Sequence, residues 1–431
     1  MRPLCRCFLI VIIATIVWLL LSLQSFDDYV TMVDRIRSPN QHRFYVSEVS
    51  QERTPAYFER KKVQERWERS PNGTLGVKTI LYWNTMYAEK RKDFLFGSGD
   101  IFRGCPVPHC YATPERRLMK TMNDYDAILF HGTEINVRDL PRKRFNHQRY
   151  IFFSWEAPAS RVIHVPHFVL TPNFYNWTMS YRLDSDIIRP YGIVRDLDTD
   201  QIVAPPQNSV DAVPWKELTF THVMPAELEF IKGKTRIAAW FVSHCNTPSK
   251  REYLAEELAK FFEVDIYGEC GDLKCDRAHS DDCYDLVESD YYFYFSFENT
   301  LCKDYVTEKF FHPLSKYVIP VVYGGADYTK FAPPHSYINV LDFNSISELA
   351  NFLLKLADDP MRYSSYFWWK KHYSIEESTK ATLCNFCEKL HNYDLPRESI
   401  HDFPAYYIVR QCYSPDKLPW YRTARSAPQA N

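Results

Sequence analysis

The stretch from residue 293 to residue 311, FYFSFENTLCKDYVTEKFF, places charged residues where a phosphate group could bind. Its aromatic run predicts a buried strand that ends abruptly at Glu298 and Asn299, and a predicted helix then carries Lys309 in its first turn. A second apolar run, VIPVVYGG, follows at 318–325. Open α/β sheets bind ligands beyond the carboxyl ends of their strands, and helix amino-termini attract phosphate. The pattern indicates a phosphate site; the alternative is an ordinary crossover with solvated ion pairs.

Strand-like and helix-like segments alternate in two successive arrays, which join near residue 225 after the Pro-rich passage 190–216. An amphipathic helix is predicted at 249–262, and Ser345 with Glu348 forms a capping box for another. The strand-like runs are 79–83, 126–132 and 149–155 in the first array, and 235–242, 263–268, 293–297, 318–325 and 338–343 in the second. This alternation predicts an α/β fold with two Rossmann-like domains facing a cleft.

The amino-terminal residues predict a membrane anchor followed by a stem. Residues 8–23 carry no charge and would span about 24 Å as a helix. Arginines precede this run and aspartates follow it, so the positive-inside rule places the amino-terminus in the cytoplasm. A cleaved signal peptide is the alternative, although no convincing cleavage site follows the run. We therefore expect a cytoplasmic tail at 1–7, a signal-anchor at 8–23 and a polar stem at 24–75.

Composition limits the class of protein. A luminal part of about 400 residues exceeds what one hydrophobic core usually serves, which favours two domains. The net charge of −2 and the lack of a basic stripe argue against nucleic-acid binding. Of the 12 cysteines, the two at positions 5 and 7 precede the anchor, and the even number that remains suits an oxidising lumen. Glycosylation sequons at Asn72 and Asn176 fit the same compartment.

Metal binding is an alternative use of the cysteines. No second C-x-x-C motif completes a structural zinc set, so disulfides are the favoured interpretation. The two zinc sets that the spacing allows are Cys384, Cys387 and His391, and Cys270, Cys275, Cys283 and His279.

Several motifs, in this order along the chain, resemble those of the α-1,3-fucosyltransferases, which are type II Golgi enzymes with the GT-B fold. The motifs are SWEAP at 154–158, YRLDSDIIRPYG at 181–192, WFVSHC at 240–245 with a downstream arginine, FENTLCKDYVTEKFF at 297–311, and a pair of cysteines near residue 385. The resemblance covers roughly residues 78–390. Cys302 and the cysteine-rich segment 270–283 indicate an invertebrate-like member.

The resemblance implies a domain order and a location. It implies an acceptor domain at 76–225 and a GDP-fucose-binding domain at 226–380, with a final segment at 381–431 tied back to the first domain. The catalytic part would lie in the Golgi lumen, and the amino-terminal helix would hold it at the membrane. Its partners would be GDP-fucose and a glycoprotein or glycan acceptor.

The implied reaction is the inverting transfer of fucose from GDP-fucose to a GlcNAc hydroxyl in α-1,3 linkage. Such a displacement needs a base for the acceptor hydroxyl and stabilisation of the departing diphosphate. Glu156 matches the glutamate that is assigned the catalytic role in this family; the alternative is a surface glutamate at a strand end. Arg251 and Lys309 match positions associated with GDP-fucose binding, and the alternative for Arg251 is an exposed residue paired with Glu256. The other expected donor-binding residues are Ser243, Asn299, Tyr305 and Glu308, although Asn299 could instead brace the loop with Glu298.

The triplet Asp184-Ser-Asp186 raises a metal-dependent alternative, because D-x-D triplets hold manganese in glycosyltransferases of the GT-A fold. Here the triplet falls within the motif at 181–192, away from the expected nucleotide site. We therefore expect no metal site and no strictly required cofactor, with a divalent ion at most stimulating transfer.

The sequence leaves the acceptor and part of the cysteine pairing open. The acceptor could be the N-glycan core, a LacNAc-type antenna or a protein side chain, as in a protein O-fucosyltransferase. A catalytically inactive, membrane-anchored lectin is the alternative from another class. The resemblance implies that Cys384 and Cys387 pair with Cys105 and Cys110. It leaves open the pairing of Cys245, Cys270, Cys275, Cys283, Cys302 and Cys412, and also the oligomeric state.

Overall fold

A computed structural model describes residues 76–86, 93–159, 172–207, 213–217, 225–275, 280–396 and 398–417. The predicted tail, anchor and stem, together with Asn72, lie outside these residues. Within the described ranges, no helix is long and apolar enough to cross a membrane.

The first sheet has six parallel strands in the order β2-β1-β3-β4-β5-β6. Its central strands are buried almost throughout, which explains their near-continuous aromatic and aliphatic sequences. The strands are β1 Lys78–Tyr82, β2 Cys110–Thr113, β3 Ala127–His131, β4 Arg149–Ser154, β5 Trp177–Ser180 and β6 Ile187–Ile188. The strands predicted at 79–83, 126–132 and 149–155 therefore exist, with ends shifted by at most one residue.

Part of the cover of the first sheet comes from a distant part of the chain. Helix α7, Thr379–His391, packs Leu383, Phe386 and Leu390 into the core that β1 and β3 share. Disulfides between Cys105 and Cys384 and between Cys110 and Cys387 attach this helix to the first sheet. The late segment of the chain therefore completes the first hydrophobic core.

The second sheet has five parallel strands in the order β10-β9-β11-β12-β13. The strands are β9 Arg236–Phe241, β10 Val264–Tyr267, β11 Tyr291–Phe297, β12 Ile319–Tyr323 and β13 Ile338–Asn339. The remaining α-helices are α1 Pro225–Lys232, α2 Arg251–Leu258, α3 Ser280–Asp290, α4 Glu308–Ser315, α5 Ile346–Ala357, α6 Pro360–Ser364 and α8 Phe403–Tyr407. Short 3-10 helices occur at Met122–Asp124, Tyr328–Lys330, Val340–Asp342, Ser365–Lys371 and Pro415–Lys417. The expected α/β fold with two parallel, Rossmann-like sheets is thus confirmed.

A third, antiparallel sheet joins the two halves, and the sequence did not predict it. It has the order β14-β7-β8, with β7 Ile193–Asp196, β8 Ile202–Ala204 and β14 Tyr373–Glu376. Just before β7, a Cβ atom on Gly192 would lie 2.5 Å from the Phe311 ring. The absence of a side chain at Gly192 therefore allows this strand to pack directly on α4.

Three predicted features differ in detail from the structure. The strand predicted at 338–343 is only two residues long and continues as a 3-10 helix, because Asn339 caps the amide of Leu341 at 3.0 Å. Ser345 does cap α5 by accepting from the Glu348 amide at 3.1 Å, but the Glu348 carboxylate accepts from the Asn344 amide at 3.0 Å. The reciprocal half of the capping box is therefore displaced by one residue. The helix predicted at 249–262 is shorter, ending at Leu258.

Candidate active site

The candidate site lies at the carboxyl ends of strands from both parallel sheets. Glu156 follows β4 of the first sheet, and Ser243 and Glu298 follow the neighbouring strands β9 and β11 of the second. A loop leads from Glu298 to the amino-terminus of α4, where Thr307 is the cap. Tyr305, in this loop, donates a hydrogen bond from Oη to Glu156 Oε2 at 3.1 Å. The two sheet edges therefore meet at Glu156.

Glu298 braces the loop, as one interpretation of the sequence anticipated. Its side chain is fully buried and accepts from the Thr307 amide at 2.8 Å and from Thr307 Oγ1 at 3.0 Å. Its main-chain carbonyl accepts from Ser249 Oγ at 2.7 Å. Burial raises the pKa of Glu298 above its ordinary value. This carboxylate therefore fixes the start of α4 through its two hydrogen bonds to Thr307.

Lys309 lies in the first turn of α4 among oxygen atoms. Its Nζ donates to Thr307 Oγ1 at 2.9 Å and pairs with Glu308 at 3.1 Å and with Glu298 at 3.5 Å. Burial opposes the charged form, but the Glu308 and Glu298 carboxylates outweigh it and raise the pKa of Lys309 above its usual range. Lys309 is therefore a permanent cation at a helix amino-terminus, which is an arrangement that attracts phosphate.

Arg251 begins α2 and is only 2% exposed, so its interpretation as an exposed residue paired with Glu256 is wrong. Its guanidinium donates to the carbonyls of Phe297 at 2.7 Å and His244 at 3.3 Å, the residues that end β11 and follow β9. Burial lowers the pKa of Arg251, while Glu298 and Glu252 oppose that shift. The guanidinium therefore ties the end of β11 to the segment that follows β9.

Glu156 is half-buried and held by tyrosines. Tyr305 is buried and packs edge-on against Tyr181, with ring centroids 4.9 Å apart. Its hydroxyl contacts Glu156, so the structure places this residue beside the candidate base. Tyr407 donates a hydrogen bond to the main-chain carbonyl of Glu156. Sequence reasoning missed Tyr407, since no motif connects it to this site.

The remaining expected donor-binding residues lie on the same edge. The Asn299 carbonyl accepts from the Ser249 amide at 3.1 Å, and among the described residues its buried Oδ1 has no hydrogen-bond partner. Ser243 is exposed beyond β9 and beside Gly268, whose φ of +109° requires a glycine. The Glu308 side chain is 46% exposed. These three side chains therefore remain candidates for contacts to the nucleotide.

Both aspartates of the D-x-D triplet, Asp184 and Asp186, make contacts within the fold. Asp184 pairs with Arg182 at 2.6 Å and with Lys303 at 3.0 Å. Lys303 lies in the loop from Glu298 to Thr307, which we call the donor loop. Burial opposes these bonds, yet they hold the pKa of Asp184 below its ordinary value. Asp186 instead accepts from the Thr178 amide at 2.8 Å and from its hydroxyl at 3.0 Å. The two carboxylates thus serve different contacts.

The cysteines that suggested zinc are oxidised in the structure. Besides the two bonds that anchor α7, disulfides join Cys245 to Cys270, Cys275 to Cys283 and Cys302 to Cys412. A cluster of Cys110, Cys387 and His391 has metal-like spacing, but its two sulfurs form a disulfide. Thiolates for either proposed zinc set are therefore lacking, and His279 lies outside the described residues.

Asn176 has a structural role that its sequon did not reveal. Its Oδ1 accepts from the Tyr150 amide at 2.9 Å and from Arg144 at 2.6 Å, and its Nδ2 donates to the Glu398 carbonyl at 3.1 Å. A glycan on Nδ2 would replace one of its two hydrogens and would have to fit beside the Glu398 carbonyl. The contacts therefore disfavour modification at this site.

Comparison with known proteins gives matches over both halves. The family model "Fucosyltransferase, N-terminal" matches residues 76–192, and "Glycosyltransferase family 10 (fucosyltransferase) C-term" matches residues 231–406. Alpha-(1,3)-fucosyltransferase C of Drosophila melanogaster is 39% identical over 347 residues, which cover 80% of this chain and 75% of that protein. Glycoprotein 3-alpha-L-fucosyltransferase A of Drosophila melanogaster is 36% identical over 323 residues, which cover 73% of this chain but only 57% of that relative. A crystal structure of an alpha1,3-fucosyltransferase with GDP-fucose aligns over 74% of this chain and 92% of its own, with 16% identity and a TM-score of 0.47.

Proposed function

The chain belongs to glycosyltransferase family 10, the fucosyltransferases, and from this we propose that it transfers L-fucose from GDP-fucose to a GlcNAc hydroxyl of a glycoprotein glycan. The linkage formed is α-1,3, as the names of the relatives indicate for those proteins. The observation that carries the proposal is the Tyr305–Glu156 contact, which joins a half-buried carboxylate of one sheet edge to the loop that starts α4. A base and a phosphate-binding helix thus share one site.

The proposed reaction is a single displacement with inversion at the anomeric carbon. Glu156 accepts the proton of the acceptor hydroxyl as the oxygen forms its bond to that carbon. The bond from the anomeric carbon to the β-phosphate oxygen breaks, and GDP leaves with the electron pair. Lys309 and the amino-terminus of α4 stabilise the charge on the departing diphosphate. Because Arg251 donates to main-chain carbonyls, it supports the pocket from behind in this scheme.

The Glu308 carboxylate suits a ribose hydroxyl of the nucleotide, and the Ser243 hydroxyl suits a phosphate oxygen. Both side chains reach the surface at the edge of the second sheet. The buried Asn299 Oδ1, which lacks a partner among the described residues, suits a donor group of the nucleotide. Tyr305 serves the base through its hydroxyl. We assign no metal to the reaction, because Asp184 and Asp186 are both committed to contacts within the fold.

The setting that we propose is the Golgi lumen, with the enzyme held as a single-pass type II membrane protein through residues 8–23. We also propose the GT-B arrangement, with a cleft between an acceptor domain at 76–225 and a donor domain at 226–380; the two parallel, Rossmann-like sheets support this proposal. The apolar run, its flanking charges and the oxidised cysteines support this location. Microscopy of a carboxyl-terminally tagged chain with Golgi markers, combined with protease protection of the tag, tests both parts.

The test of the activity uses the full-length protein in detergent, with GDP-fucose and a panel of N-glycan core, LacNAc and peptide acceptors. We expect transfer to a GlcNAc-containing glycan, unaffected by EDTA. Glycan binding without transfer to any acceptor would favour the lectin alternative, and transfer only to a peptide would favour protein O-fucosylation. Loss of transfer in EDTA with rescue by manganese would show that a metal is required.

The role of Glu156 is tested with the near-isosteric Glu156→Gln. Loss of a general base lowers kcat by roughly 10²- to 10⁴-fold, while GDP affinity should be unchanged. Glu256→Gln, on the exposed face of α2, is the matched control and should behave as the wild type. Normal turnover by a folded Glu156→Gln protein would remove Glu156 from the mechanism.

A further inference from the structure

Hydrogen bonds hold both the main-chain carbonyl and the side-chain carboxylate of Glu156. Its carbonyl oxygen accepts hydrogen bonds from the hydroxyl of Tyr407 and, at 3.1 Å, from that of Ser154. Its carboxylate accepts from Tyr305 at 3.1 Å. Three hydroxyls therefore determine where the carboxylate points, and one of them comes from 251 residues further along the chain.

Tyr407 is built into this position by packing. It ends helix α8, is 2% exposed, and packs edge-on against Phe152 of β4 with ring centroids 4.6 Å apart. Phe403, one turn earlier, stacks on Tyr407 and also contacts Phe152. Burial raises the pKa of the Tyr407 hydroxyl, which keeps it protonated and able only to donate to the carbonyl. The side chain is thus a fixed donor behind the base.

The segment that carries Tyr407 is also attached to the donor loop. Cys412 forms a disulfide with Cys302, and the Lys303 amide donates to the Gln411 carbonyl at 2.8 Å. The Tyr413 amide donates to the Leu301 carbonyl at 3.0 Å. Tyr305 lies on the same loop, so the hydroxyl on the Glu156 carbonyl and the hydroxyl on its carboxylate are covalently linked through Cys302–Cys412.

We propose that Tyr407 is a positioning residue for transfer: through the Glu156 carbonyl it aims the catalytic carboxylate at the acceptor hydroxyl. The proposal rests on the fucosyltransferase function proposed above. Removing this hydroxyl leaves donor binding intact, because the contacts of Tyr407 are on the first sheet and those of Lys309 and Arg251 are on the second. Removal of the Tyr407 hydroxyl allows the Glu156 carboxylate to adopt orientations that do not reach the acceptor proton.

The test compares Tyr407→Phe with Tyr406→Phe in the full-length protein. The control removes a hydroxyl from the neighbouring residue, which bonds Ser185 Oγ at 2.9 Å and not Glu156. We expect kcat of Tyr407→Phe to fall about five- to tenfold, as for loss of one buried hydrogen bond expressed in the transition state. GDP affinity by calorimetry should stay within about twofold of wild type, and Tyr406→Phe should keep its kcat.

Further readouts separate positioning from a structural role. The acidic limb of the kcat–pH profile reports the base, and we expect it to move in Tyr407→Phe but not in Tyr406→Phe. Ser154→Ala removes the other donor to the same carbonyl and should give the same kcat-only loss, which carries the test if Tyr407→Phe does not fold. An unchanged kcat, a parallel loss of GDP affinity, or an equal kcat loss in Tyr406→Phe would overturn the proposal. Absence of transfer in the wild type would instead refute the proposed function itself.

Discussion

Lys309 has two roles that a pair of substitutions can separate. It is the cation proposed to hold the diphosphate, and it is also the partner of the fully buried Glu298 carboxylate, 3.5 Å away. Lys309→Met removes the charge but keeps most of the aliphatic length. The single variant should therefore lose both donor affinity and stability, for different physical reasons.

The stability loss follows from the geometry. Two unit charges at the observed 3.5 Å attract by about 5 kcal/mol at an effective dielectric constant of about 20. Part of this is offset because Lys309 no longer has to be desolvated. Breaking a buried pair leaves the other charge uncompensated, so we expect a net loss of about 3 kcal/mol. For a protein of this size that lowers the melting temperature by roughly 5 °C.

The pH dependence has a definite sign. Burial already raises the pKa of Glu298, and the Lys309 charge opposes that shift, so removing Lys309 raises the pKa of Glu298 further. A carboxyl with a raised folded pKa contributes stability at low pH that is lost as the pH rises through that pKa. The deficit of Lys309→Met against the wild type should therefore be smaller near pH 5 than near pH 8.

The measurements are thermal unfolding at both pH values and GDP binding by calorimetry. Lys316→Met, which breaks the exposed pair with Asp285 at the other end of α4, is the matched control and should cost less than about 1 kcal/mol. Adding Glu298→Gln to Lys309→Met removes the unpaired charge, so about half of the lost stability should return while GDP affinity stays low. Recovery of GDP affinity in the double variant, or a deficit that grows as the pH falls, would refute the reasoning.

Three further predictions concern contacts around the site. Arg251→Lys should weaken GDP binding about tenfold and lower the melting temperature, because an ammonium cannot serve both carbonyls as the guanidinium does; calorimetry and thermal unfolding measure this. Glycopeptide mass spectrometry of the protein expressed in eukaryotic cells should find Asn176 unmodified, because its amide is engaged within the fold, and full glycan occupancy there would refute this expectation. Asp184→Asn should destabilise the protein by about 1 kcal/mol after solvent screening. Since Arg182 and Lys303 depress the pKa of Asp184, this difference should be present at neutral pH and vanish in acid, as thermal unfolding at both pH values would show.

Eight strands of the two parallel sheets could be predicted because most of them are apolar runs buried on both faces, whereas the short strands β2, β5 and β6 were not predicted. β11 is an example: its seven residues, YYFYFSF, contain one polar side chain, and such a run has few other uses in a folded protein. The polar residues Glu298 and Asn299 follow this buried strand directly, so the sequence indicated where the ligand-binding edge of the sheet lies. Glu156 was found only through its motif, since a glutamate at a strand end has no distinctive local pattern.

The parts that could not be predicted depend on contacts between distant segments. Arg251 begins a helix, which is usually a solvated position, and only the fold shows that β11 covers it. β7 and β14 are short and pair antiparallel across the two halves, so neither carries a local sign of its partner. Tyr407 lies in a five-residue helix far from any motif, and its target carbonyl is defined only by packing.

Helix α7 lies late in the chain, and this position determines when the first sheet can be completed during synthesis. Its side chains complete the core of the first sheet, and its Cys384 forms a disulfide with Cys105, which is synthesised 279 residues earlier. At about 5 to 20 residues per second, the ribosome needs roughly 14 to 56 s to cover that interval. During this time the first sheet lacks this part of its cover, and Cys105 and Cys110 cannot form their native disulfides. The core of the first sheet and its two disulfides can therefore be completed only after most of the chain has been synthesised.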